Sequence, residues 1–230
     1  MELTSTNLSG VMLKKNLVRK WFLRIAGYLI PLFQSLPPLG VWKGLMTVPL
    51  ISYLIALLSS LPVSLPTALN VFFIDSAFLL DKTCIVIGLL ISCYSSVYLR
   101  KNRKEGLITS GPYQLVRHPQ YLGTILFTLG LTSWSYWLLT HTLGIGFLTS
   151  QQTLGVWFIE LFAYVLLANI EELYLSKEFR ESFENYKSKT PFLIPLLKTN
   201  RKSFDIPISI LIPAILLWIV LLYNNLYATF

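Results

Sequence analysis

Residues 206–223 read IPISILIPAILLWIVLLY, eighteen positions without an acid, lysine, arginine or histidine. In lipid no water is available to a bare peptide group, so such a run is satisfied only as a helix or inside a closed barrel. Its length matches the roughly 20 apolar residues that a helix needs to cross a hydrocarbon core about 30 Å thick. Residues 83–99 (TCIVIGLLISCYSSVYL) and 44–62 (GLMTVPLISYLIALLSSLP) have the same character. Across all 230 residues, 54% are hydrophobic and 13% charged. Soluble domains carry about 25% charged residues, so a soluble globular domain is excluded. The expected fold is all-α: a polytopic integral-membrane bundle of six or seven spanning helices with a cytoplasmic amphipathic helix.

The charge pattern orients the chain. The 19 Lys and Arg exceed the 11 Asp and Glu by eight. They flank the apolar runs, as cytoplasmic loops do, so they do not argue for a nucleic-acid partner. Residues 1–20 are expected to form a cytoplasmic arm whose Lys14, Lys15, Arg19 and Lys20 meet membrane lipids. The arm has no apolar core, so the first spanning helix is expected to act as the targeting signal. Residues 21–82 hold the N-terminal membrane helices, of which 21–36 and 65–80 are ambiguous because of Arg24 and Asp75. The loop 100–118 opens on Arg100, Lys101, Arg103 and Lys104 and is again cytoplasmic. Spans follow at 119–139, 153–170 and 206–223, with a basic linker before the last. Cys84 and Cys93 lie nine residues apart in one apolar segment, too far apart for a bridge on one helix. No metal-ligand spacing is present. Oligomeric state is not readable.

The chemistry concentrates in two polar segments. From His118 to Glu171 is 53 residues, which two spans of about 20 residues and a turn consume. Both segments therefore return to one membrane face, and the hairpin brings Arg117 and His118 to Glu171 and Glu172. Gly111-Pro112-Tyr113 is a turn signal. Pro119 suits the first turn of a helix and displaces His118 from helical geometry. A helix N-terminus with Arg117 beside it suits an anion or carboxylate; equally, Arg117 is an ordinary membrane anchor and His118 a cap. Carboxylates at a helix C-terminus are unfavourable, so Glu171 and Glu172 call for cationic partners unless that helix simply runs on into water. Leu175, Phe179, Phe183 and Tyr186 form one apolar stripe on a helix over 171–190. Glu160, inside a span, is either a functional acid or a buried one bonded to a tyrosine. His141 falls in the far-side turn.

The stretch GPYQLVRHPQYLG, followed after the hairpin by the Glu171-Glu172 pair and EELYLSKEFRESFENYKSKTPFLIP, resembles the isoprenylcysteine carboxyl methyltransferase family and the related phospholipid methyltransferases. The likeness covers roughly residues 83–196, about half of the chain. It implies a catalytic core over 83–196, an S-adenosylmethionine cofactor bound on the cytoplasmic side, and a lipophilic or lipidated acceptor. The acceptor would be a carboxylate if the chain follows the family's name. Tyr113, His118, Pro119, Tyr121, Gly123, Glu171 and Glu172 would then hold the cofactor. Arg117 would sit near the reacting carboxylate, with Glu171, Glu172 or His118 a candidate base for an amine acceptor. Lys189 stands where the family usually has an arginine near the substrate; lysine supplies a point charge and not a fork. Residues 197–230 lie beyond the family's pattern. Membrane sterol reductases share Arg-His-Pro-x-Tyr-x-Gly and use NADPH, but usually have Asn and Glu where this chain has Gln120 and Thr124. A non-catalytic membrane protein that keeps the fold is the third reading.

Overall fold

The computed structural model describes residues 41–59, 76–102, 106–141, 148–197 and 202–227. They form six α-helices: α1 (Val41–Ser59), α2 (Leu79–Asn102), α3 (Pro119–His141), α4 (Ser150–Glu178), α5 (Arg180–Lys189) and α6 (Lys202–Tyr227). A short 3-10 turn occupies Gly111–Gln114. No strand occurs among the described residues. The molecule is a helical integral-membrane bundle.

Four helices, α2, α3, α4 and α6, are long and apolar enough to cross a bilayer among the described residues. That is fewer than the six or seven spans expected. Residues 44–62 fall on α1, an apolar helix of 19 residues over Val41–Ser59, with positions 60–62 outside the described residues. Residues 21–36, most of 65–80 with Asp75, and the N-terminal arm lie outside the described residues.

The centre of the bundle is α3, which packs against α1, α2, α4 and α6. In lipid, helices associate through close contact and not through expulsion of water, so small residues matter at their interfaces. Gly88 and Gly123 lie back to back. A Cβ on Gly88 would meet the Phe127 backbone nitrogen at 2.3 Å, and one on Gly123 would meet that of Ser92 at 2.5 Å. Gly130, two turns further along α3, presses on the Asp81 carbonyl in the same way. The Ser92 and Thr124 hydroxyls pair beside this seam at 3.4 Å. Around α3 the core holds Ile125, Leu129, Trp157 and Leu161. Phe78 stacks on Trp134 at 5.2 Å and meets Trp137 edge-on. The Ser135 hydroxyl donates to the Met46 carbonyl and ties α1 to α3. The N-terminus of α4 carries a capping box, with Gln152 N–H donating to Thr149 Oγ1 and Thr149 N–H to Gln152 Oε1.

The helix expected over 171–190 is two helices. α4 runs through Glu178, and Arg180, at φ +42°, turns the chain into α5. No glycine or proline marks this break. Beyond it, Phe183 and Tyr186 are buried against Tyr113, with Leu175 and Phe179 partly buried beside them. The apolar stripe therefore closes α5 onto the 3-10 turn. His141 ends α3, exposed, and stacks on Trp137. Cys84 and Cys93 are free thiols.

Candidate active site

Four pieces of chain converge where α2 ends, α3 begins, α4 ends and α6 begins. The first is the turn. Gly111 takes φ +61°, and a Cβ there would strike the Tyr98 ring at 2.6 Å; only glycine fits both constraints. Tyr98 Oη and Ser110 Oγ pair at 2.7 Å behind it. The turn presents Tyr113, whose carbonyl accepts from the Tyr186 hydroxyl at 2.6 Å, so the turn and α5 are locked together. Burial, then the nearby charge of Glu171, then Tyr186 push the Tyr113 phenol above its usual range. It stays a donor, buried, with no hydrogen-bond partner among the described residues. Tyr186 is likewise pushed up, chiefly by burial.

The second piece is the start of α3. Pro119 opens the helix, and the His118 carbonyl accepts from Leu122 N–H at 3.1 Å. His118 therefore stands outside the helix with its side chain available. Its ring stacks on Tyr121 at 5.7 Å, which in turn meets Tyr164. Phe192 closes the imidazole edge-on at 5.2 Å and lies under the Arg117 guanidinium at 5.3 Å. The Arg117 N–H donates to the Pro191 carbonyl at 2.9 Å. The segment after α5 is thus strapped across the site.

The third and fourth pieces are acids. Arg117 Nη1 lies 2.7 Å from Glu172 Oε1, and Arg117 Nη2 donates to Asp205 Oδ2 at 3.1 Å. His118 Nδ1 approaches Glu171 Oε2 at 3.4 Å, and its Nε2 approaches Glu172 Oε1 at 3.5 Å. Lys187 Nζ sits 3.2 Å from Glu172 Oε2. Burial by itself would lower the His118 pKa. Hydrogen bonds to Glu171 and then Glu172, with their charges, outweigh it and hold the imidazole above its ordinary value. Three carboxylates face Arg117, Lys187 and this imidazole, so the charges compensate. Glu172 is the hub, its side chain only 2% exposed, while that of Glu171 is 24% exposed and open to a ligand.

The structure thus brings Tyr113, Arg117, His118, Pro119, Tyr121, Glu171 and Glu172 to one end of the bundle. Gly123 lies on α3 one turn further in, at the seam with α2. Lys189 is apart from the cluster. It lines a groove of roughly 770 Å³ with Leu107, Gln114, Asn185 and Tyr186, on the side of α5 away from Lys187. Glu160 is buried in α4, one turn before Tyr164.

Sequence reasoning missed Lys187, Phe192 and Asp205. Lys187 and Lys189 differ by two positions, about 200° around a helix, and only the docking of α5 decides which one faces inward. Asp205 had a signal, an acid in the first turn of the last span, where the helix dipole favours it. Phe192 had none beyond being an aromatic after a helix end.

Comparisons with known proteins cover part of the chain. It is 33% identical over 98 residues, 43% of its length, to a protein-S-isoprenylcysteine O-methyltransferase of Schizosaccharomyces pombe. It is 30% identical over 108 residues, 47% of its length, to the cobalt-zinc-cadmium resistance protein CzcN of Cupriavidus metallidurans. The matched stretches span 36% and 44% of those two proteins. No family model matches, and no solved structure does.

Proposed function

We propose that this protein is an integral-membrane methyltransferase that uses S-adenosylmethionine, with its active site on the cytoplasmic side and a lipophilic or lipidated acceptor, most readily a carboxylate as in isoprenylcysteine O-methylation. The observation that carries this reading is the His118–Glu171–Glu172 cluster with the buried Tyr113 hydroxyl beside it. Likeness to the fission-yeast methyltransferase supports the reaction class.

The residues suit such a cofactor. An accessible carboxylate, Glu171, complements a cationic ligand, and Tyr113 offers an unspent donor to an anionic or hydroxyl group. When bound, S-adenosylmethionine supplies an electrophilic methyl on a sulfonium. Tyr113, His118, Tyr121, Glu171 and Glu172 would hold it, with Pro119 fixing the helix start and Gly123 letting α2 approach. A carboxylate acceptor is already ionised at neutral pH, so no general base is needed and the protein's task is to position the reactants and exclude water. With an amine acceptor, Glu171 is the candidate base. Arg117 meets an acceptor carboxylate only by exchanging it for Asp205 or Glu172, both of which hold it in the resting molecule. Lys189, exposed in its groove, would attract the acceptor's polar end as a point charge.

Isothermal titration of detergent-purified protein with S-adenosylhomocysteine, and with NADPH as control, tests this reading. Binding of the homocysteine compound, lost in His118→Ala, is the expected result. Binding of NADPH alone would replace the reading with a reductase, and binding of neither by folded protein would replace it with a non-catalytic role.

A further inference from the structure

Asp205 belongs to none of the matching motifs and stands 88 residues from Arg117 in sequence. Yet its carboxylate takes one arm of the Arg117 guanidinium at 3.1 Å, while Glu172 takes the other at 2.7 Å. All three side chains are buried or nearly so. Glu172 Oε1, the atom that meets Arg117, is the same atom that approaches His118 Nε2 at 3.5 Å. A chain of charges therefore runs Asp205, Arg117, Glu172, His118, Glu171, and its first member enters from the last helix of the bundle. Asp205 holds its place through its own element, as an acid in the first turn of α6.

We propose that Asp205 is a positioning residue: by sharing Arg117 with Glu172, it leaves the Glu172 carboxylate available to His118. Without its charge, Arg117 turns wholly to Glu172 and draws that carboxylate away from the imidazole. Loss of one carboxylate from the network also removes negative potential around His118. Both effects weaken the hold on the imidazole proton, so they act in one direction. The titratable and charged groups around His118 are Arg117 beside it, Tyr121 from α3 with Tyr164 behind, Glu171 and Glu172 from α4, Lys187 and Tyr186 from α5, Tyr113 from the turn, and Asp205 through Arg117. Asp205 reaches His118 through Arg117 and Glu172. Its place in the site rests on the function proposed above; its hold on the His118 proton does not.

The test is the His118 titration followed by NMR of ¹³C-histidine-labelled protein in detergent, without ligand. The chain has two histidines, and His141→Gln assigns the signals. Asp205→Asn keeps the side-chain shape and removes the charge; it should move the His118 midpoint to lower pH. Asp205→Glu should restore most of that shift. In S-adenosylhomocysteine titrations across pH, the alkaline loss of binding should begin at lower pH in Asp205→Asn and return in Asp205→Glu. A His118 midpoint unchanged in folded Asp205→Asn would overturn the proposal and leave Asp205 a packing contact. If Asp205→Asn fails to fold, Asp205→Ser, which also removes the charge, is read in its place, and an unchanged His118 midpoint in that folded variant would equally overturn the proposal. Absence of S-adenosylhomocysteine binding by the wild type would sink the proposed function while leaving the histidine readout intact.

Discussion

Two buried polar clusters sit at opposite ends of the same bundle, and they are built differently. At one end Arg117, His118, Glu171, Glu172, Lys187 and Asp205 form a network of full charges. At the other, Asp81 of α2 lies against Ser133 of α3 and Asn224 of α6, with Asn224 Nδ2 donating to Ser133 Oγ at 3.0 Å. The second cluster joins three helices, and aromatic packing of Phe78, Trp134 and Trp137 surrounds it. It is sealed: Asp81, Ser133 and Asn224 are each fully buried. The first is sealed at Glu172 but open at Glu171. A helix clamp needs only a few hydrogen bonds, which in membranes contribute about 0.6 kcal/mol each on average. Six charged groups are far more than a clamp requires, and their desolvation opposes folding. That excess, together with one accessible carboxylate, is the reason we propose the charged end as the working end.

The comparison can be broken by experiment. Glu172→Ala should have the largest effect. It leaves Arg117 and Lys187 short of an acid in a buried setting, where breaking such a pair costs about 3–5 kcal/mol. Thermal unfolding in detergent reads this, and a melting temperature near wild type would mean that the network is not a unit. Gly88→Leu should come next. Its side chain collides with the backbone of α3, and overpacking of this kind costs about 1–3 kcal/mol; an unchanged melting temperature would show that the two helices can part freely. Alkaline pH should have a smaller effect. The folded-state pKa of His118 is raised, so its contribution is complete below the unfolded value of about 6.5 and is lost as pH rises through the folded pKa. The stability difference between wild type and His118→Gln should therefore shrink as pH climbs past that point; a pH-independent difference would place the histidine's contribution in packing. Asn224→Leu should be the mildest, on the order of 1 kcal/mol. A loss larger than that of Glu172→Ala would reverse the ranking of the two ends.

Much of the frame was legible from residues alone. The apolar runs at 83–99, 119–139, 153–170 and 206–223 match α2, α3, α4 and α6, because in lipid a long apolar run has few alternatives to a helix. The distance from His118 to Glu171 was enough to bring these residues together. What stayed hidden depends on rotation and docking. Lys187 and Lys189 are equivalent in composition, and only the packing of Phe183 and Tyr186 on Tyr113 turns one of them toward Glu172. Asp205 sits among basic linker residues that read as solvated, and its partner lies on another helix. The α4–α5 break at Arg180 has no local breaker, since tertiary packing imposes it.

The back-to-back glycines bear on how a saturation screen of this gene would look. Gly123 lies within the same short motif as His118, and both positions should tolerate almost no replacement. Their reasons are unrelated. Variants at Gly123 should vanish from the membrane fraction, because the two helices can no longer close. Variants at His118 should persist there and be idle. Counting protein abundance alongside activity would divide the motif RHPQYLG into letters that build the bundle and letters that use it.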